Sequence, residues 1–146
     1  MNPKQAFSIW LSRTLILPVL AMNLYCALVF ILSPQAYAPA FELSGLPGQV
    51  AIRSVGILFV MWNIPYVIAL LDPLNNRTTM LASLMMQMTG VIGESWLYTT
   101  IPELTVARST ILRFVIFDSL GALFLVAAYL LISQRRQNAK LSAGSE

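Results

Sequence analysis

Four long apolar runs, separated by short polar or broken stretches, organise the chain. They cover about residues 14–32, 54–71, 80–101 and 111–132. Each is close to the roughly 20 residues that a helix needs to cross a ~30 Å hydrocarbon core. None alternates apolar and polar residues as barrel strands do. The pattern predicts an all-α protein: an antiparallel four-helix transmembrane bundle over residues 1–132, then a basic tail, 133–146. The first run follows Lys4 and Arg13 and precedes Ala38, Pro39 and Ala40, so it has the outline of a cleavable signal. It is longer than a usual signal core, and the small-residue site lies well beyond its end, so an uncleaved first helix is expected.

The connections differ in kind. Asp72, Pro73, Asn75 and Asn76 form a stop-and-turn signal, with Thr78 or Thr79 available to cap the third helix. Pro102 and Glu103 open a short loop before the fourth. The longest connection, 33–53, holds Pro34, Pro39, Gly45, Pro47 and Gly48. It is too broken for one regular helix, yet too apolar (Tyr37, Phe41, Leu43, Leu46) to float in water. A structured outer loop folded over the bundle mouth is expected there.

Composition agrees with the pattern: 58% of residues are hydrophobic and 10% charged, against about 25% charged in soluble domains. The distribution of positive charge sets the orientation. With the N-terminus inside, Lys4, Arg13, Arg77, Arg135, Arg136 and Lys140 are cytoplasmic, and Arg53, Arg108 and Arg113 lie outside. Basic residues favour the cytoplasmic side, so both termini are predicted to be cytoplasmic in a plasma or inner membrane. Arg135 and Arg136 are placed to hold the tail to anionic lipid heads. No basic run interleaves with aromatics, so nucleic acid is not an expected partner.

Two absences narrow the chemistry. The chain has no histidine, and so lacks the commonest metal ligand and the usual neutral-pH base. Its single cysteine, Cys26, lies in an apolar run and reads as a small buried hydrophobe. No metal or cofactor is expected. Met80, Met85, Met86 and Met88 are soft ligands in principle, but Met85 and Met86 point to different helix faces and read as core filler.

What remains is a set of polar groups inside the spans, where a charge costs roughly 2.5–3.5 kcal/mol at the helix centre. Glu94 and Asp118 each lie about 10 Å below the outer boundary, by a rise of ~1.5 Å per residue. Arg113 is nearer the boundary and is expected to reach across helices to pair with Glu94. One arginine cannot neutralise two carboxylates, which makes Asp118 the one expected to keep its proton. Ser83, Gln87, Gly90, Glu94 and Tyr98 or Leu97 recur at spacings of three and four, one helical face. Asn23 and Asn63 lie near mid-membrane, giving a polar cluster of Glu94, Asp118, Arg113, Gln87, Asn63, Asn23 and Tyr98. Pro18 and Pro65 should kink their helices or free a carbonyl, the latter beside Trp62, Asn63 and Tyr66. Trp10, Tyr37, Trp96 and Tyr98 fall where an aromatic belt is expected.

Such a cluster has three readings. It is interhelical glue, with Gly56, Gly90, Gly93 and Gly121 permitting close approach; a ligand or ion pocket; or a catalytic carboxylate pair, without accompanying nucleophile or metal set. The chain has little extramembrane mass and no strong motif. The favoured reading is therefore a non-catalytic accessory or assembly subunit, packed against another membrane protein or its own copies and bathed in membrane lipid. The alternative is a small binding or transport module for a lipid-like molecule or ion, centred on Glu94. A membrane enzyme comes third.

Overall fold

A computed structural model describes residues 3–143, and every regular element among them is helical. In chain order these are α1 (Pro3–Leu32), α2 (Pro34–Tyr37), a 3-10 turn (Ala38–Phe41), α3 (Gly45–Trp62), α4 (Ile64–Leu71), α5 (Arg77–Thr100) and α6 (Val106–Ala143). Three stretches are long and apolar enough to cross a membrane: Ala6–Leu32, Gly45–Leu71 (α3 with α4) and Val106–Gln134. Less than a third of each is buried inside the structure, at 28%, 22% and 28%. An apolar surface that large needs a covering other than water. The third expected span, now α5, has the length but not the hydropathy, because Ser83, Gln87, Thr89, Glu94 and Ser95 interrupt it.

Several boundaries differ from expectation. The second helix begins at Gly45 rather than 54, so half of the supposed loop is helical. Pro47 reads as a breaker but occupies the first turn, where its missing N–H has no intrahelical partner to lose. Gly45 adopts φ +63°, a left-handed conformation that glycine takes without cost. Pro65 does break its helix, at Asn63, whereas α1 runs unbroken through Pro18. Neither Thr78 nor Thr79 caps α5. Its cap position is Asn76, which makes no side-chain cap bond. The last helix continues to Ala143 rather than ending near 132. The lipid anchoring expected of Arg135 and Arg136 lies outside the described side chains.

The long elements pack antiparallel. α1 lies against α3, α4 and α6, and α5 lies against α4 and α6. At the end that holds the termini, Arg13 donates to the carbonyls of Leu70 and Leu71 at the close of α4. Arg77 donates to the Tyr129 hydroxyl at 2.7 and 3.0 Å there. Asp72 accepts from both the backbone and side chain of Asn75, which holds its carboxyl below the usual carboxylate range. At the opposite end Arg53 donates to Ile31 at the close of α1. Arg13 and Arg53 thus serve the unpaired carbonyls of helix C-termini, where the helix dipole also favours a cation. The connection between α1 and α3 is ordered, and Glu42 (φ 58°) accepts from the Val106 N–H at 3.0 Å, capping α6.

Two apolar clusters result. One gathers Ile16, Val19, Leu20, Ala69, Met80, Leu125 and Ala128 at the terminal end. The other is aromatic: Phe30 contacts Tyr37, Phe41, Phe59 and Phe114 at ring-centroid distances of 5.3–6.4 Å. Tyr37 thus belongs to this cluster and not to an interfacial belt, while Trp10 and Trp96 are exposed. Gly56 explains how α1 and α3 come together. A Cβ there would lie 2.9 Å from the Ala27 carbonyl oxygen, so only glycine admits this crossing.

Candidate functional site

The break at Asn63 splits one span into two halves with different neighbours. α4 packs on α5, while α3 follows α1 and does not run along α5. A cavity of about 250 Å³ lies where α3 and α5 part, between the two apolar clusters. Phe59, Trp62, Asn63 and Tyr66 form one wall, and Met86, Gln87, Gly90 and Glu94 the opposite one. Behind lie Met22, Asn23 and Cys26 of α1, and Arg113, Phe114, Phe117 and Asp118 of α6.

A chain of hydrogen bonds crosses the cavity floor. The Tyr66 hydroxyl donates to Gln87 Oε1 at 2.7 Å, which turns the Gln87 amide N–H group toward α6. Gln87 Nε2 then donates to Asp118 Oδ1 at 2.8 Å. Asp118 in turn lies within hydrogen-bond reach of the Glu94 carboxyl. Two carboxyl groups facing one another need a hydrogen between them. Asp118 already accepts one from Gln87, so the hydrogen shared with Glu94 is what joins the second carboxyl to the chain.

The approach of Asp118 to α5 depends on Gly90, whose Cβ, if present, would lie 2.1 Å from Asp118 Oδ2. Gly121 likewise leaves room for Gln87, at 2.8 Å from Nε2. Gly93 has nothing within 4 Å and brings no helices together. Two polar atoms remain buried without a partner, Asn63 Oδ1 and Glu94 Oε2. The Asn63 Nδ2 is spent on the Phe59 carbonyl at 2.6 Å, a backbone acceptor within α3.

The expected pairing of Arg113 with Glu94 does not form. The ion pair within 4 Å among the described residues is Arg108 with Glu103, at 3.6 Å. Arg113 is exposed at the cavity edge and makes no hydrogen bond or ion pair among the described side chains. Spacing along α6 fixes its height but not its direction, and the two side chains line one cavity without meeting. Tyr98 also leaves the cluster; its ring lies under the Arg108 guanidinium, 4.5 Å from the centroid. Ser83 is buried and donates back to the Thr79 carbonyl. The structure therefore gathers Glu94, Asp118, Arg113, Gln87, Asn63 and Asn23 around one cavity, and excludes Tyr98. It adds Tyr66, which the sequence sets with Trp62 and Asn63 around the carbonyl freed by Pro65, outside the polar cluster.

The methionines disperse, with Met80 in the core, Met86 on the cavity wall, and Met85 and Met88 exposed. No grouping of three or more metal-binding histidine, cysteine or acidic side chains occurs among the described residues. No protein-family model, curated protein or solved structure matches the chain.

Proposed function

We propose that this is a four-span membrane protein with cytoplasmic termini, and that it binds the head of a small amphipathic molecule in the cavity between α3 and α5. The observation that carries the reading is the unpartnered polar lining of that cavity. Asn63 Oδ1 and Glu94 Oε2 lack hydrogen bonds at a depth where lipid offers none. Glue would have satisfied them. A volume of about 250 Å³ is just under the roughly 300–1,000 Å³ of typical small-molecule sites. That suits a polar head whose apolar remainder stays in lipid.

The same arrangement supports α5 as the fourth span. Its polar residues Ser83 and Gln87 are buried, while Met85, Ile92 and Trp96 are exposed and apolar. Its low hydropathy comes from the inward face, and lipid meets the other. The orientation rests on the basic residues grouped at the terminal end, and external labelling of an Asn76→Cys protein in a Cys26→Ala background would contradict it.

Native mass spectrometry of protein extracted with its own lipids tests the binding reading. One retained small molecule is expected, lost when Met22, at the half-exposed cavity edge, is replaced by tryptophan. Retention unchanged by Met22→Trp would place any ligand elsewhere. One observation keeps an assembly role as a second reading. Gly93 and Thr89 leave a flat, exposed strip on α5, the kind of surface on which another span packs closely. A co-purifying protein subunit with an empty cavity would favour that role.

A further inference from the structure

We infer that the group recognised in this cavity is a primary ammonium, the head of an amphipathic amine, which takes the place of the hydrogen between Glu94 and Asp118. The inference rests on the reading of the cavity as a binding site and names the chemistry of its ligand.

Donors and acceptors around the cavity do not balance. The Tyr66 hydroxyl is spent on Gln87, the Gln87 amide is held on Asp118, and one N–H of the Asn63 amide goes to Phe59. The buried atoms that the walls still offer are acceptors, Asn63 Oδ1 from the α3–α4 break and Glu94 Oε2 from α5, while the donors of Asn23 and Arg113 belong to half-buried and exposed side chains. A ligand that fits must bring hydrogen-bond donors. An alcohol brings one and leaves Glu94 holding its proton. An ammonium brings three and a positive charge, so it satisfies both walls and allows Glu94 to ionise. One proton leaves as one cation enters, and the charge of the site is unchanged.

The surroundings suit a cation. Phe59 and Trp62 are stacked at 6.2 Å and, with Phe117, line the same space. Aromatic faces attract an ammonium, the more so when water is excluded. The ionisable groups facing Glu94 are Asp118 and Arg113 from α6, Cys26 from α1 and Tyr66 from α4; α3 contributes none. Arg113 lies five residues from Asp118 along α6, about 7.5 Å of rise, and exposed. It stands at the edge rather than in the acidic recess. An anionic head would instead meet two carboxyl groups.

Trp62 is a built-in reporter. A Trp10→Phe, Trp96→Phe protein retains it as the sole tryptophan. In phosphatidylcholine nanodiscs at neutral pH, decylammonium should change its fluorescence saturably. Decanol should bind at least tenfold more weakly, and decyl sulfate should not saturate. Decylammonium affinity should fall as pH is lowered, because the proton competes for Glu94. Glu94→Gln should weaken decylammonium at least tenfold and leave decanol unchanged. Asp118→Asn, which retains shape, gives a second test in the same direction. Decanol binding as tightly as decylammonium would overturn the ammonium assignment while leaving a binding cavity. Decyl sulfate binding most tightly would overturn it in favour of Arg113. Saturation by none of the three, with no retained molecule in the native mass spectrum, would remove the binding reading itself.

Discussion

Replacing Gly90 by alanine adds one carbon where the structure has no room for it. The new Cβ would sit 2.1 Å from Asp118 Oδ2 and 3.2 Å from Asp118 Cγ, so the carboxyl must swing away. Its other oxygen is the acceptor for Gln87, itself held by Tyr66, and that movement breaks the chain across the cavity floor. Interhelical hydrogen bonds in membranes average about 0.6 kcal/mol, with a maximum near 1.7, and a stranded buried polar group costs about 1–3 kcal/mol. Against this, alanine is favoured over glycine within a helix by about 1 kcal/mol. The net expectation is destabilisation by about 1–2 kcal/mol. In an Asp118→Ala background the clash is gone, since the remaining Cβ lies 4.0 Å away. There Gly90→Ala should stabilise by up to about 1 kcal/mol. The double-mutant cycle should thus show coupling of about 2–3 kcal/mol, read from reversible unfolding in one detergent. Gly93→Ala, with open space around it, is the internal control and should not destabilise. Additivity of Gly90→Ala and Asp118→Ala within about 0.5 kcal/mol would refute the contact and the carboxyl placement built on it.

Other expectations follow from the same contacts. Glu94→Gln should cost less than about 1 kcal/mol, because the glutamine amide can donate to Asp118 where the acid did. A loss of about 3–5 kcal/mol, as when a buried ion pair is broken, would restore the Glu94–Arg113 pairing. Gly56→Ala should destabilise by about 1–3 kcal/mol through overpacking, because the obstacle is a backbone carbonyl; an unchanged melting temperature would place α3 elsewhere. Asp72 is held below its usual range by Asn75, so the turn gains stability above that range and loses it as pH falls through the lowered value. Asn75→Ala should bring the Asp72 midpoint, followed by NMR, up toward the ordinary one.

The spans and their polar face were legible because both are properties of one helix at a time. The period of Gln87, Gly90 and Glu94 fixes a face whatever packs on it, and Pro65 removes a helical N–H in mid-span, although Pro18 does the same without breaking α1. The start of α3 was hidden by the double meaning of Pro47, a breaker in mid-helix but harmless in a first turn. Pairing between helices was not legible. Arg113 and Glu94 have opposite charges and heights a long side chain can bridge, yet the rotation of α6 about its axis brings Asp118, not Arg113, into contact with α5. That rotation is set by many contacts, among them Ser12 with the Ala128 carbonyl and Gln87 with Asp118. Tyr66 became informative only once Gln87 was seen beside it.

The central claim is that the parting of α3 from α5 is a binding site, not a packing accident. The most direct measurement is an experimental density map of the protein in nanodiscs formed with its native lipids. Continuous density is expected in the cleft, with its head in contact with Glu94 and Asn63 and its tail leaving between α3 and α5. A map in which α3 closes onto α5, with the Asn63 and Glu94 side chains bonded to each other or to neighbouring residues and no density between, would contradict it.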